Sequence, residues 1–317
     1  MLMPPTVDHF QGQPEAVALL RTALEAAWND GTRLPHMLLT GPPGVGKTTL
    51  ANLAAREMGV VVHERLGQTL EVPAMVNGVL MEAEDKDVVF VDEAHELPRQ
   101  CQTVLYRAME DRSVFLHNQQ RNSLKLPLAD FTLVLATTDE YCLLQPLRDR
   151  CKLTIPFRWY QPDDLATIVR QRAHMMSVEI ADGVPDMIAS RAKGTPRLAI
   201  RLLEACHRYA RSRNDQSVGA EHFNATVALE QIDELGLGRD ERRYLALLAE
   251  KHGEPVRLIT AESALGLHRR TIQTVLEPFL IRTGLCERLP TGRAITPKGL
   301  HHLARSAEGY QSDAREE

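Results

Sequence analysis

Short, continuous apolar runs alternate with stretches of helical periodicity through the first half of the chain. The apolar runs are Met37–Leu39, Val60–Val62, Val88–Val91 and Phe131–Ala136. Helices are predicted at 17–28, from Leu50 to about Gly59, at 74–84 and at 97–111. Continuous apolar strands that alternate with helices are typical of βαβ units, whose parallel sheet is covered on both faces. The pattern therefore predicts an α/β domain over residues 1–158.

A different pattern interrupts this domain between Asp111 and Asp130. Val114 and Leu116 alternate with polar residues, and the alternation resumes at Leu124 and Leu126 after a polar segment. Such alternation predicts a β-hairpin over 112–128, inserted in the α/β domain. Its residues alone leave open whether it is a plain surface hairpin or a docking element for a partner protein.

The second half of the chain shows helical periodicity without strong strand signals up to about residue 232. Helices are predicted near 162–176, 184–192, 196–212 and 219–231. This pattern predicts an all-helical domain over 159–232, followed by a linker at 233–238.

The C-terminal region changes pattern again. Three helices are predicted at 239–252, 260–266 and 268–283, followed by a hairpin made of Leu285–Arg288 and Ala294–Thr296. Three helices and a hairpin are the outline of a winged helix-turn-helix, which we place at 239–305. The polar residues 306–317 are predicted to form a disordered tail.

The most informative stretch lies between the first strand and the helix that follows it. It reads Gly41-Pro42-Pro43-Gly44-Val45-Gly46-Lys47-Thr48-Thr49. A strand, a glycine-rich loop, Lys-Thr and a helix form a P-loop, in which backbone N–H groups and the helix N-terminus converge on phosphate oxygens. Gly44, Gly46, Lys47, Thr48 and Thr49 are the predicted nucleotide-binding residues. Lys47 would reach the β- and γ-phosphates, and the Thr48 hydroxyl would hold Mg²⁺. A flexible Gly-Pro turn is the alternative interpretation, and the strand–loop–helix context disfavours it.

A second motif places two carboxylates at the end of a buried strand, in Val88-Val89-Phe90-Val91-Asp92-Glu93-Ala94-His95. Ligands bind at this edge of open α/β sheets. Asp92 is predicted to hold the Mg²⁺ hydration shell, and Glu93 to activate an attacking water. An acidic strand end is common, but its position after a P-loop makes hydrolysis of a nucleoside triphosphate the preferred interpretation.

Three further polar groups have two interpretations each. Thr138, in the Ala136-Thr137-Thr138 stretch at the end of the last predicted strand, either senses the γ-phosphate or caps the strand. Arg148 and Arg150 either form a surface ion-pair cluster or supply a charge that stabilises the transition state of phosphoryl transfer. Arg197, which opens a helix after Gly194-Thr195-Pro196, is equally undecided from the residues.

The charge distribution, the cysteines and the length of the apolar runs indicate which kinds of partner to expect. The net charge is −5, yet residues 239–305 hold twelve Lys/Arg against seven Asp/Glu, so a basic C-terminal region follows an acidic body. Nucleic acid is therefore expected at the C-terminal end. Five scattered cysteines without a C-x-x-C pair predict reduced thiols in a cytoplasmic protein, with no zinc framework. No apolar run is long enough to span a bilayer, so no membrane partner is expected.

From about Phe10 to Lys298 the chain resembles the RuvB-type Holliday-junction branch-migration motors, which are AAA+ ATPases. The stretches that carry the resemblance are Gly12-Gln13-Pro14, the P-loop through Asn52, Glu57-Met58-Gly59-Val60, Val91–His95, Ala108–Asp111, Phe131–Leu133 with Ala136–Thr138, Pro146–Arg150, Gly194–Arg197, Arg201–Leu203, Asp233-Glu234, Leu276–Ile281 and Gly292-Arg293. They fall in all three predicted domains.

The resemblance implies an ATP- and Mg²⁺-dependent motor that drives branch migration of Holliday junctions in recombination and repair. It implies that Thr138 is the sensor-1 residue, that Arg150 is an arginine finger reaching the ATP of a neighbouring subunit, and that Arg197 is sensor 2. A finger that acts in trans implies a ring, hexameric in this family. The winged helix would contact the duplex arms of a four-way junction, with Arg288 and Arg293 near phosphates.

The chain departs from the family pattern in four places. Met1–His9 replaces an Arg-Pro segment that helps to enclose adenine, Asp139 stands where the family has Arg, and Ile200 replaces an Asn. The 112–128 hairpin, which in the family docks the junction-binding partner RuvA, is shorter and lacks glycine-rich pieces.

Three other classes compete with this interpretation. Asp92-Glu93-Ala94-His95 spells the box of DEAH helicases, but the second RecA-like domain that these need is absent from the sequence. A clamp-loader-like or initiator AAA+ protein is a closer alternative. A DNA-binding module that ATP merely regulates is the third, although it would have no use for Glu93 as a base.

Overall fold

The computed structural model describes residues 4–117, 123–251 and 253–313. Contacts divide the chain into two compact units. The first comprises the residues up to 168 together with 194–198, and the second comprises 169–193 and the residues from 199 onward. The segment that contains Arg197 therefore belongs to the first unit.

A five-stranded parallel sheet forms the centre of the first unit. The elements in chain order are α1 (Pro14–Asp30), β1 (Met37–Thr40), α2 (Lys47–Met58), β2 (Val62–Leu66), α3 (Pro73–Glu82), β3 (Val88–Asp92), α4 (Arg99–Asp111), β4 (Ser113–His117), β5 (Ser123–Pro127), β6 (Thr132–Thr137), α5 (Gln145–Arg150) and β7 (Leu153–Pro156). The strand order is β2-β3-β6-β1-β7, and neighbouring strands of this sheet run parallel. Central strands β3 and β6 are buried nearly throughout, as their apolar runs predict.

Two strands of this sheet differ from the prediction. β2 is Val62–Leu66 and not 60–62. It is an edge strand with partly exposed polar residues, so it contains no continuous apolar run from which its position could be predicted. β7 was not predicted. Its four residues, Leu153–Pro156, hold one Thr and one Pro, and proline within a strand is confined to edges such as this one.

The predicted hairpin is confirmed as the antiparallel pair β4–β5, with Val114 opposite Leu126. Val114 is buried in the apolar core of the first unit, and Leu126 packs against that core. The segment Asn118–Asn122, in the middle of the predicted hairpin, lies outside the described residues. The hairpin is thus anchored to the α/β core at its base.

The second unit is mainly helical. Its elements are part of α6 (Pro162–Met175), β8 (Glu179–Ile180), α7 (Val184–Arg191), most of α8 (Pro196–Ser212), β9 (Ser217–Val218), α9 (Ala220–Leu229), α10 (Arg239–Ala249), α11 (Leu258–Leu265), α12 (Arg269–Thr271), a π-helical turn (Ile272–Leu276), α13 (Glu277–Arg282), β10 (Cys286–Leu289), β11 (Gly292–Ile295) and α14 (Pro297–Asp313). The short parallel pair β8–β9 was not predicted, because two-residue strands leave no periodicity to detect.

The winged helix-turn-helix is confirmed between α10 and β11. Tyr244, Leu248, Ile272, Leu280 and Leu285 form part of one buried apolar core beneath it. α12, the π-helical turn and α13 follow one another without a break and form a single helix over 269–282, here called the recognition helix. The antiparallel strands β10 and β11 form the wing.

The predicted disordered tail is wrong for residues 306–313. The backbone of α14 runs from Pro297 to Asp313 without a break. Residues 314–317 lie outside the described part.

Candidate nucleotide site and winged helix

The P-loop backbone is shaped by close approaches that exclude side chains. A Cβ on Gly46 (φ 102°) would lie 2.9 Å from the ring of Phe10, so this position requires glycine. The first α-helical bond of α2 runs from the N–H of Leu50 to the carbonyl of Gly46 at 2.9 Å. The N–H groups of Lys47, Thr48 and Thr49 therefore have no acceptor in a preceding turn. They form, with the helix dipole, an anion-binding end.

Lys47 is buried and points back into the loop. Its Nζ donates to the carbonyl oxygens of Gly41 at 2.8 Å and Pro42 at 2.9 Å. Burial lowers the pKa of Lys47, while the carboxylates of Glu93 and Asp92 act in the opposite direction. A poorly hydrated ammonium group beside a helix N-terminus favours the binding of an anion such as a phosphate.

Thr48 and Asp92 meet as the sequence predicts. The Thr48 hydroxyl donates to Oδ2 of Asp92 at 2.7 Å, and Oδ1 of Asp92 accepts the N–H of Glu93 at 2.9 Å. A hydroxyl and a carboxylate are hard oxygen ligands that suit Mg²⁺. Among the described residues no cluster of three or more His, Cys, Asp or Glu could hold a metal alone. The donor set thus fits an ion that keeps several waters and binds with a phosphate, as Mg²⁺ does.

Glu93 has an unusual backbone and a partly free side chain. Its φ is +51°, in the left-handed region that non-glycine residues rarely adopt. A Cβ built on Gly67 would lie 2.4 Å from the Glu93 carbonyl oxygen, so glycine is needed at 67 for this close backbone approach. The Glu93 side chain is 44% exposed. Strained backbone that the surroundings hold in place is common at functional sites.

His95 completes this end of the sheet, although no pattern in the sequence predicts a role for it. Its ring lies within reach of Glu93, Glu96 and the buried Thr137. The only signal in the sequence is its place two residues after Glu93. Thr137, and not Thr138, is the buried terminal residue of β6, whereas Thr138 is exposed beside it. The sensor role of Thr138 stays a prediction.

Arg197 lies against the P-loop. Its N–H faces the carbonyl of Gly44 at 3.4 Å, and a Cβ on Gly44 would lie 3.1 Å from the Cβ and 3.8 Å from the Nε of Arg197. The positive charge of Arg197 also contributes to the lowered pKa of Lys47. The first unit therefore brings together Lys47, Thr48, Asp92, Glu93 and Arg197.

Arg150 has a different environment. Its guanidinium forms an ion pair with Glu110, donates to the Pro146 carbonyl at 2.8 Å and lies 5.2 Å from the centre of the Tyr106 ring. These partners belong to α4 and α5. The structure does not bring Arg150 to the P-loop of its own chain, so its role as a finger for a neighbouring subunit stays a prediction.

Aromatic side chains outside the sequence motifs pack on the P-loop. The Tyr160 hydroxyl donates to the Val45 carbonyl at 3.0 Å, and burial raises the Tyr160 pKa. The Phe10 ring meets Gly46 and lies edge-on to Phe157 at 6.3 Å between ring centres. Lone aromatic residues in coil segments offer no periodicity from which this packing could be predicted.

In the winged helix, Arg288 and Arg293 share one buried carboxylate. Oε2 of Glu277 accepts from Nε of Arg288 at 2.7 Å, and Oε1 accepts from Nε of Arg293 at 2.8 Å and from the Tyr244 hydroxyl at 2.9 Å. Arg288 keeps half of its side chain exposed, whereas Arg293 is mostly buried. Both arginines therefore fix the wing to the recognition helix, and contact with DNA stays a prediction for each.

The fold and the site define an AAA+ P-loop protein with a helical lid domain and a C-terminal winged helix. Three family models match the chain in succession. The Holliday junction DNA helicase RuvB P-loop domain matches residues 2–157, the RuvB AAA lid domain 160–233, and the RuvB C-terminal winged helix domain 234–304. The chain belongs to the RuvB family.

Similar proteins cover nearly the whole chain. The RuvB subunit of the Holliday junction branch migration complex from Rubrobacter xylanophilus is 40% identical over 306 residues, which are 95% of this chain and 86% of that protein. The same subunit from Methanoregula boonei is also 40% identical, over 95% of this chain and 91% of its own.

Solved structures agree in fold. The RuvB Holliday junction branch migration motor of Thermotoga maritima is 35% identical, with a TM-score of 0.84 over 95% of this chain and 97% of that one. A point mutant of the same motor gives a TM-score of 0.87 over 96% of this chain. In the part of this chain that the structure describes, no helix has the length and apolar character needed to cross a membrane.

Proposed function

We propose that this protein binds and hydrolyses ATP with Mg²⁺ and uses the released free energy to drive branch migration of four-way DNA junctions. The observation that carries the proposal is the 2.7 Å contact between Thr48, after the P-loop lysine, and Asp92, at the end of β3. Lys47 and Glu93 lie beside this contact. The relatives named as branch-migration subunits extend this ATPase site to a DNA motor.

Each site residue has a proposed role that follows from its position. Bound ATP and Mg²⁺ supply a phosphoanhydride bond and a divalent charge that neutralises its oxygens. Lys47 and the N–H groups at the start of α2 would bind the phosphates, while Thr48 and Asp92 would hold the metal and its waters. Glu93 takes the proton of the attacking water. Arg197, from its place against Gly44, would contact the γ-phosphate and so link the presence of ATP to helix α8, which begins at Pro196.

The ring is part of the proposal. Arg150 lies on α5 away from the P-loop residues it would serve, so it acts on ATP bound to a neighbouring copy and makes each site depend on two chains. We infer a homo-oligomeric, hexameric ring in the cytoplasm. The winged helix of each subunit contacts the duplex arms through the excess of positive charge in 239–305. The β4–β5 hairpin is the proposed contact for a RuvA-like junction-binding protein.

The test compares ATP turnover of wild type, Glu93→Gln and Glu82→Gln, each with and without a synthetic four-way junction. Glu82 is an exposed glutamate on α3 and serves as the matched control. We expect the junction to stimulate the wild type and Glu82→Gln, and Glu93→Gln to lose turnover about a hundredfold, because removal of a general base costs that much. Strand exchange of a labelled junction, with and without added RuvA, then measures the motor directly.

Two results would overturn the proposal. Turnover in Glu93→Gln equal to wild type would remove the ATPase. Hydrolysis that the junction does not stimulate, together with no strand exchange in either condition, would leave an ATPase that acts on something else. Stimulated hydrolysis with nucleotide-dependent DNA binding but no exchange would favour a DNA-binding module that ATP regulates.

A further inference from the structure

The His95 ring is placed between the candidate base and the end of the neighbouring strand. Its Nδ1 lies 3.3 Å from Oγ1 of Thr137 and 3.4 Å from Oε2 of Glu93. Its Nε2 lies 3.7 Å from a carboxylate oxygen of Glu96. The His95 side chain is only 17% exposed, so these groups and not bulk water determine its position.

The hydrogen bonds of Thr137 indicate which ring nitrogen of His95 carries the proton. The Thr137 hydroxyl has one hydrogen, and it donates to the Asp139 carbonyl at 2.9 Å. The same oxygen accepts the N–H of Asp139 at 3.0 Å. A hydroxyl that has used its only hydrogen can act toward His95 only as an acceptor. Oε2 of Glu93 is likewise an acceptor, so both neighbours of Nδ1 favour the tautomer that carries its proton on that nitrogen.

This N–H has two acceptors at almost equal range. Both distances exceed the usual N–H···O range of roughly 2.7–3.2 Å, so the N–H group makes a full hydrogen bond to neither acceptor. A small rotation of the ring strengthens one and weakens the other. The backbone of Glu93 cannot adapt in its place, because Gly67 packs directly against the Glu93 carbonyl.

We infer that His95 is a positioning residue that orients the Glu93 carboxylate and connects it to the sensor strand. The Nδ1–H group engages Oε2 of Glu93, which leaves Oε1 to receive the proton of the attacking water. Its second acceptor, Thr137, is the terminal residue of β6 and immediately precedes Thr138. A movement of this strand end therefore changes the hydrogen bond between Nδ1–H of His95 and the Glu93 carboxylate. The inference rests on the proposed role of Glu93 as the base.

The kinetic test uses two substitutions of His95 and one matched control. His95→Leu removes the donor and fills most of the space, whereas the side-chain amide of His95→Asn places an N–H close to the position of Nδ1. The control is His63→Asn, because His63 is equally buried and pairs with Asp87 at 3.0 Å at the amino end of the neighbouring strands. Nucleotide affinity and thermal unfolding of each variant report whether the fold and the phosphate site persist.

We expect His95→Leu to lower kcat about tenfold or more with KM within about twofold, because misorientation of a reacting group acts on the chemical step. His95→Asn should recover most of the loss, and His63→Asn should match wild type. In a Glu93→Gln background, His95→Leu should cause no further loss, since both changes act through one carboxylate. Equal losses in the Leu and Asn variants, or additive losses with Glu93→Gln, would overturn the inference.

A second readout needs no turnover. Nitrogen-15 NMR of the histidine rings distinguishes the two neutral tautomers, and the signal missing from His95→Asn identifies His95. We expect the Nδ1–H tautomer in the wild type and a shift of the signal in Thr137→Val. An Nε2–H tautomer would overturn the inference. Absence of Glu93-dependent turnover in the wild type would instead refute the proposed function, whereas normal turnover that His95→Leu leaves unchanged refutes this inference alone.

Discussion

Two glutamates of this chain, Glu93 and Glu277, have opposite environments. Glu277 has no exposed surface, and its two oxygens accept from Arg288, Arg293 and Tyr244 at 2.7–2.9 Å. Glu93 is nearly half exposed, and its carboxylate oxygen Oε2 lies 3.4 Å from Nδ1 of His95. A fully satisfied carboxylate is held for structure, while one with an unused oxygen is available for chemistry.

The energetic reason lies in desolvation. A buried charge is tolerated only when charged or hydrogen-bonded partners replace its water, and loss of one partner leaves the others uncompensated. Glu277 thus holds the recognition helix and the wing together. The pKa of the neighbouring Tyr244 is raised by burial and by the Glu277 charge, so the phenol keeps its proton and donates it. Glu93 does not join two structural elements in this way.

The largest expected effect is on stability, from Glu277→Gln compared with Glu93→Gln. Glu277→Gln should destabilise the winged helix by about 3 kcal/mol, because Arg293 loses its buried counter-charge. Both tryptophans, Trp28 and Trp159, precede residue 168, so fluorescence follows the first unit and circular dichroism follows both. We expect an early transition by circular dichroism only. Glu93→Gln should unfold like wild type, and equal destabilisation by the two changes would contradict the comparison.

The second expected effect is the pH dependence of stability that His36 causes. His36 is a buried residue with a structural role in the first unit. Burial, reinforced by Arg33, lowers the pKa of His36 from 6.5 to about 3. Its Nδ1 accepts the N–H of Leu133 at 2.8 Å, which requires the neutral ring. Below pH 6.5 the unfolded chain therefore binds a proton that the native chain does not, and stability falls as the pH falls toward 3.

Between pH 6.5 and about 5 this loss should approach about 2 kcal/mol. His36→Asn keeps an acceptor for Leu133 and should remove this part of the pH dependence, as measured by urea unfolding across the range. A slope unchanged in His36→Asn would mean that another group titrates.

The smallest expected effect separates the two wing arginines. Arg288 is half exposed and can reach a phosphate, whereas Arg293 is mostly buried. Arg288→Gln should lower the slope of log affinity for duplex DNA against log salt by about one, the value for one phosphate contact. Arg293→Gln should leave that slope unchanged and lower the stability of the wing. A slope change confined to Arg293→Gln would reverse the assignment.

The sequence allowed prediction of those parts in which a local pattern carries the information. The buried strands β3 and β6, the hairpin and the winged helix follow from runs and alternation, and the meeting of Thr48 with Asp92 follows from two motifs at one sheet edge. The edge strand β7, the His95 contacts and the Glu277 cluster did not follow. Each depends on partners far apart in the chain, such as Tyr244 and Arg293, which no local pattern connects.

The π-helical turn Ile272–Leu276 has a consequence for the phase of the recognition helix. Pro278 cannot donate the backbone bond that an α-helix needs there, and the wider turn before it absorbs the mismatch. One residue of an α-helix corresponds to about 100° of rotation. Deletion of a single residue from this turn would therefore rotate Glu277 away from both arginines while the exposed Arg269 and Arg270 kept their direction. The number of residues between Arg270 and Glu277 therefore determines whether Glu277 faces the wing, and a change of one residue would turn it away.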